Sequence, residues 1–355
     1  MPDWRSLVAG RLIADGTDVQ ASQGAIGAAD PAGHRRGGGW MRVMTRLLCL
    51  GASVLLAATG QAVPAGARDL PGVYVVSHDP GILPEGVAVE QDGTVYVTSK
   101  GTGLLFRGRI GDAELRPFAA QGIADRPSAL GVHTDARHRV FSVGGSVLTV
   151  HDRAGRLVAR RMAEDGPLGA ANLNDLVITK DAVYVTDWAN PVIHRAVLRA
   201  GRLGPLRPWV DIRSAAPQFP AQYWLLNGIT ADRTGRTLLV ASNGTEAVWR
   251  VDADTKAVEE VQLGGSSFGA DGMLLHGRHL YAVLNYGAPA GVYIAQLSED
   301  LRTGTVKFQV TGDRFDLPTT LARHGCRLYV VNSQLDQPPG HPPYTVSALS
   351  DPTCR

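Results

Sequence analysis

Apolar residues along this chain fall into short runs separated by polar or glycine-bearing breaks, and from residue 68 onward one unit returns six times. Each unit is an apolar strand, a turn, and a second strand rich in Val, Leu and Tyr. The first three copies are Glu85-Gly86-Val87-Ala88-Val89 before Val95-Tyr96-Val97, Leu130-Gly131-Val132 before Val140-Phe141-Ser142-Val143, and Asn174-Asp175-Leu176-Val177-Ile178 before Val183-Tyr184-Val185. The others are Asn227-Gly228-Ile229 before Leu238-Leu239-Val240, Asp271-Gly272-Met273-Leu274-Leu275 before Leu280-Tyr281-Ala282-Val283, and Thr319-Thr320-Leu321 before Leu328-Tyr329-Val330-Val331. Successive starts lie 45, 44, 53, 44 and 48 residues apart, the length of a four-stranded propeller blade. No stretch sustains a helical period, and Gly or Asp marks most of the hairpin turns. The pattern predicts an all-β fold, a six-bladed β-propeller spanning residues 68 to 355 as a single domain. Gly72-Val73-Tyr74-Val75-Val76-Ser77 is a strand ahead of the first repeat, and it is expected to close the ring as the outer strand of the last blade.

Upstream of the repeats the pattern changes. Arg42 and Arg46 precede an apolar run from Leu47 to Ala58, and small residues ending Ala65-Gly66-Ala67 follow it. This reads as a secretory signal peptide over 41–67, too short to span a bilayer comfortably, and the mature protein is expected to be secreted without stable membrane insertion. Residues 1–40 have no apolar periodicity and read as a disordered extension ahead of a true start at Met41 or Met44. The chain carries 35 basic and 33 acidic residues, and residues 68 to 355 carry 29 of each, so electrostatic capture of nucleic acid is not expected. Beyond the leader only Cys326 and Cys354 remain, and an even pair in an exported protein favours a disulfide.

The innermost strand of every blade starts at the same mouth of a propeller's channel, so equivalent repeat positions form a ring: Glu85, Leu130, Asn174, Asn227, Asp271 and Thr319. Two carboxylates and two amide carbonyls on one axis suit Ca2+, with Mg2+, Mn2+ or Zn2+ ranking below it. Asn-Gly and Asp-Gly also form turns, and that alternative stands beside the metal at this point. The second strands return to the same mouth, which nominates Ser99, Asp187, Trp188, Asn243, Asn285, Tyr286 and Asn332 as pocket wall. His138, His276 and His324 fall at hairpins of the opposite rim. No helical His pair at i, i+4, Cys-x-x-Cys, Gly-x-Ser-x-Gly or phosphate loop occurs, which disfavours zinc, thiol or serine catalysis.

Glu85-Gly86, Asn174-Asp175, Asn227-Gly228 and Asp271-Gly272, each opening a repeat in that order, resemble the gluconolactonase/regucalcin (senescence-marker-protein-like) family of six-bladed propellers. Leu173-Asn174-Asp175-Leu176-Val177 is also similar to the related paraoxonases, and the strictosidine synthase-like proteins are further relatives. The resemblance implies a divalent metal held by Glu85, Asn227 and Asp271, with Asn174 as fourth ligand or water holder, and hydrolysis of a lactone or related ester. Where gluconolactonases often carry Arg this chain has Asn172, and Leu130 stands where paraoxonases place a His, with His133 displaced from it. The expected enzyme uses Asp271 for metal ligation and proton transfer, with Asp175 and Asp187 as weaker candidate bases. The reading of a second class is a non-catalytic secreted propeller, binding a small ligand or protein, with structural calcium in its channel. The protein is expected to act as a monomer.

Overall fold

A computed structural model describes residues 70–119, 127–286 and 289–354. The extension over 1–40 and the signal peptide over 41–67 lie outside the described residues. No helix among those described is long and apolar enough to cross a membrane.

The described chain forms six antiparallel sheets, each built outward from an inner strand. Blade one runs Pro84–Val89, Thr94–Ser99, Leu105–Arg109 and Arg116–Ala119, and blade two Val132–Thr134, Val140–Gly144, Val147–His151 and Leu157–Met162. Blade three contains Leu173–Ile178, Ala182–Asp187, Val192–Arg199 and Arg207–Asp211, with the short strand Arg202–Leu203 beside it. Blade four is Leu226–Ala231, Thr237–Ser242, Ala247–Asp252 and Val258–Glu260, and blade five is Met273–His276, His279–Leu284, Gly291–Leu297 and Gly304–Thr311. Blade six consists of Pro318–His324, Arg327–Asn332 and Tyr344–Ser350, completed on its outer edge by Val73–Ser77. The sequence reading of the fold and of its closure therefore holds.

The hydrophobic core is divided into six clusters, each trapped between consecutive blades. Leu239, Ala241 and Val248 of blade four meet Met273, Leu280 and Ala282 of blade five, and Tyr74, Val76 and Tyr329 of blade six meet Val87, Val95 and Phe106 of blade one. This arrangement explains the apolar runs. Second strands such as Thr94–Ser99 and Thr237–Ser242 are buried at every residue because each has a neighbouring blade on both faces. The outer strand Gly304–Thr311, covered on one face, alternates instead.

Closure is reinforced on two sides. Val73–Ser77 pairs with Tyr344–Ser350, while the Val75 amide donates to the Ala113 carbonyl at 2.9 Å and the Leu115 amide to the Val75 carbonyl at 2.8 Å, tying the strand to blade one as well. Cys326 and Cys354 are disulfide-bonded with Cα atoms 5.7 Å apart. Beside them Asp351 accepts from Arg323 Nε at 2.6 Å and from the Tyr281 hydroxyl at 3.0 Å. Replacing both cysteines with Ser should cost about 3 to 4 kcal/mol, the loop-closure entropy of a bridge this long. An unchanged urea midpoint in the double variant would show that the Asp351 contacts alone hold the C-terminus.

Candidate metal centre

Every inner strand loses register with its partner at the ring position. Pairing jumps from Pro84↔Ser99 to Val87↔Val97, from Leu173↔Asp187 to Leu176↔Val185, from Leu226↔Ser242 to Ile229↔Val240, and from Pro318↔Asn332 to Leu321↔Val330. In blade five the Asp271 amide donates to Val283 at 2.8 Å and the Val283 amide to Gly272 at 2.9 Å, and in blade two Val143 bridges Leu130 and Gly131 in the same way. Two residues thus oppose one, a β-bulge that re-aims the ring side chain out of the strand's alternation.

The glycines after the ring residues follow from the same crowding. A Cβ on Gly86 would lie 2.4 Å from the Leu130 carbonyl oxygen of the next blade, and one on Gly228 would lie 2.5 Å from the Asp271 carbonyl oxygen. Both glycines sit inside inner strands, so they serve close approach of neighbouring blades rather than a turn.

Glu85, Asn174, Asn227 and Asp271 are all buried, from 2% to 9% exposed. Glu85 Oε2, Asn174 Oδ1 and Asn227 Oδ1 have no hydrogen-bond partner. The amides are oriented. Asn227 Nδ2 donates to Asn243 Oδ1 at 2.7 Å, and Asn243 Nδ2 in turn to the Gly269 carbonyl at 2.9 Å, leaving Asn227 Oδ1 unbonded. Asn285 Nδ2 donates to Asp271 Oδ2 and to the Pro318 carbonyl. Burial, then the charges of Asp271 and Asp175, push the Glu85 carboxyl well above its ordinary range. Burial raises Asp271 to about 6, against the hydrogen bonds of Asn285 and Asn227 and the charge of Lys100. Buried, partnerless oxygens beside crowded carboxylates are what a bound cation would satisfy, and the all-oxygen donor set suits a hard one. Among the described residues no three His, Cys, Asp or Glu side chains gather to hold a metal by themselves, so an ion here depends on the amide oxygens.

Asp175 is differently engaged. Its Oδ1 accepts from the Leu176 amide at 2.8 Å and its Oδ2 from the Ile229 amide at 3.2 Å. With Gly86, Gly131, Gly272 and His133 it lines a cavity of about 10 Å³, room for one water. Burial raises Asp175 to about 7 and lowers His133 to about 4.

Apart from Tyr286, two residues past the end of its strand, the nominated wall separates into two sets one residue apart. The last residue of a second strand bonds back to its own blade: Ser99 Oγ to the Ile82 carbonyl, Ser242 Oγ to the Trp224 carbonyl, Asp187 Oδ1 from the Asn172 amide and Asn332 Oδ1 from the Asp316 amide. Asp187, fully buried, also accepts from Asn190 and pairs with His194 Nε2 at 3.0 Å, so its carboxylate is committed to holding a loop and is no candidate base. Asn332 spends its Nδ2 on Thr345 and Ser347 inside blade six, away from the wall. The next residues are Lys100, Gly145, Trp188, Asn243, Asn285 and Ser333, and of these Asn243 and Asn285 reach the ring. Successive strand residues alternate in direction, so an error of one position selects the wrong face. Trp188 is half-buried and Tyr286 is 43% exposed. Lys100 was missed by the sequence reading, although its offset past Ser99 matches that of Asn243 past Ser242. His138 and His324 lie at the opposite end of blade one's inner strand, against Glu90, consistent with the far rim.

No protein-family model matches the chain, and no curated protein matches it in sequence. Among solved structures, a calcium-binding regucalcin from Agrobacterium tumefaciens is 17% identical with a TM-score of 0.54, over 79% of this chain and 93% of that one. A gluconolactonase from Xanthomonas campestris is 14% identical with a TM-score of 0.54, over 80% and 99%. A virginiamycin B lyase from Staphylococcus aureus is 12% identical with a TM-score of 0.53, over 73% and 80%. The chain is a six-bladed β-propeller of the architecture that regucalcin and gluconolactonase share, and the likeness at these identities is one of fold. Proteins named as a calcium-binding protein, a gluconolactonase and a lyase are all similar in fold to this chain, so function rests on the site.

Proposed function

We propose that the protein is a divalent-metal-dependent hydrolase of a lactone or related ester, acting outside the cytoplasm as a monomer. The observation that carries the reading is the set of buried, partnerless oxygens of Glu85, Asn174 and Asn227, at the same offset in their repeats as Asp271, whose charge acts on Glu85. Calcium bound by those four residues would act as a Lewis acid, polarising the carbonyl and balancing developing negative charge. Glu85 and Asp271 match the charge of a divalent ion. Asn243 and Asn285 act through the ring, the first holding the Asn227 amide and the second occupying Asp271 Oδ2. Asp271 Oδ1 would then take a proton from the attacking water and pass it to the leaving oxygen of the broken ester bond. Trp188 and Tyr286 offer aromatic surface against which the body of a ligand would rest.

Hydrolysis of a panel of sugar, aliphatic and aryl lactones by residues 68 to 355 should require calcium, stop on chelation and return on readdition. Folded, calcium-loaded protein that hydrolyses none of them would instead be the binding propeller, with its ion as a structural plug.

A further inference from the structure

The six residues that follow the second strands include one cation. Lys100 sits in blade one where Asn243 and Asn285 sit in blades four and five, and those two side chains reach the ring at Asn227 and Asp271. The backbone that carries it is fixed: the Lys100 amide donates to the Leu83 carbonyl at 3.0 Å and the Gly101 amide to the Ile82 carbonyl at 3.1 Å. Gly101 lies so close to the Gly81 carbonyl that a Cβ there would be 1.8 Å from its oxygen. The side chain is exposed and forms no ion pair among the described residues, and its charge acts on both Glu85 and Asp271.

Charge arithmetic gives this position a role. Glu85 and Asp271 together neutralise a divalent ion, so the ammonium of Lys100 is left over at the mouth. Asp175, the third buried carboxylate, already spends both oxygens on the Leu176 and Ile229 amides, whereas Lys100 is exposed. A compact, unpaired ammonium at the rim of a neutral metal site attracts anionic oxygen. Resting on the metal-site reading above, we propose that Lys100 makes the channel mouth select ligands that carry a carboxylate or phosphate in addition to the group directed at the ring. The substrate class is thereby an anionic lactone or ester, and Lys100 is its specificity-determining residue.

The test is calorimetric binding of D-gluconate, D-glucarate and 6-phosphogluconate to the calcium-loaded protein. These differ at carbon six, which bears a hydroxyl, a carboxylate or a phosphate. Wild type should bind at least one of the two ligands with a second anionic group about 10-fold or more tightly than gluconate, the size of one favourable charge contact. Preference for glucarate over 6-phosphogluconate, or the reverse, tells which anion the site takes. Lys100→Met should erase the preference and Lys100→Arg should keep most of it, while calcium itself should bind Lys100→Met more tightly than wild type, because a like charge is gone. Equal binding of all three ligands, binding of none, or a preference that survives in Lys100→Met would overturn the proposal. Turnover of D-glucono-1,4-lactone and of the anionic D-glucaro-1,4-lactone is scored separately: its absence with both, the anion preference being intact, removes the hydrolase reading and leaves the role of Lys100 standing as anion recognition.

Discussion

The Asp271→Ala protein should lose calcium affinity by more than about 100-fold, beyond the cost of deleting an outer partner of a metal ligand, and should hydrolyse no lactone. The reason is charge as well as coordination. Glu85 alone leaves a divalent ion undercompensated in a buried site, and the Asn174 and Asn227 amides cannot replace the missing carboxylate. The same variant, in chelator at pH 7.5, should be at least as stable as wild type, because a buried carboxylate that repels Glu85 has been removed. These opposite signs separate a lost ligand from a misfolded protein. Calorimetric calcium binding equal to that of wild type would remove Asp271 from the site and the mechanism with it.

Calcium should stabilise the protein little at pH 5 and strongly at pH 7.5. Glu85 is raised well above its ordinary value and Asp271 to about 6, so in the folded, calcium-free protein both hold protons at pH values where the unfolded chain has released them. The folded state then binds more protons, and raising the pH favours unfolding, with the stability lost as pH climbs from about 4 through the folded-state values. For Asp271 the shift corresponds to about 3 kcal/mol. Asp175, at about 7, adds to the decline. His133, held at about 4, acts in the opposite sense as pH rises from there to its ordinary 6.5 and offsets part of the decline over that range. Calcium binds the ionised forms of Glu85 and Asp271 and cancels their part. The readout is the melting temperature in calcium minus that in chelator, in which the contribution of His133 drops out. A difference that does not grow between pH 5 and pH 7.5 would mean that the ion, if bound, is not held by these carboxylates.

The repeat order, the blade count and the closing strand were all legible in the sequence, because each depends on periodic apolar residues and on a length that recurs. The ring was legible for the same reason: Glu85, Asn174, Asn227 and Asp271 share one offset in their repeats. What could not be read was the bulge that turns those side chains, since it is a feature of pairing between strands and leaves only a glycine as its trace. The purpose of Gly86 and Gly228 was correspondingly open between turn and close approach until the neighbouring blade was seen. The pocket wall went astray at Asp187 and Asn332 because strand direction reverses at each residue, and a boundary uncertain by one residue then mistakes a latch for a lining side chain. Lys100 was hidden by the same offset.

The pairing of Val73–Ser77 with Tyr344–Ser350 sets an order of events in the birth of the molecule. The strand is among the first of the propeller to leave the ribosome and is the last to find its partner, since Val73 pairs with Ser347, more than two hundred residues further on. Until the last three strands are made, Val73–Ser77 has no sheet to join and the face of blade one that packs against blade six is uncovered, and both stay open to other chains. Such a high contact order predicts slow folding, with ring closure as the late step. A chain truncated after blade five should therefore be captured by chaperones or aggregate rather than persist as a five-bladed fragment.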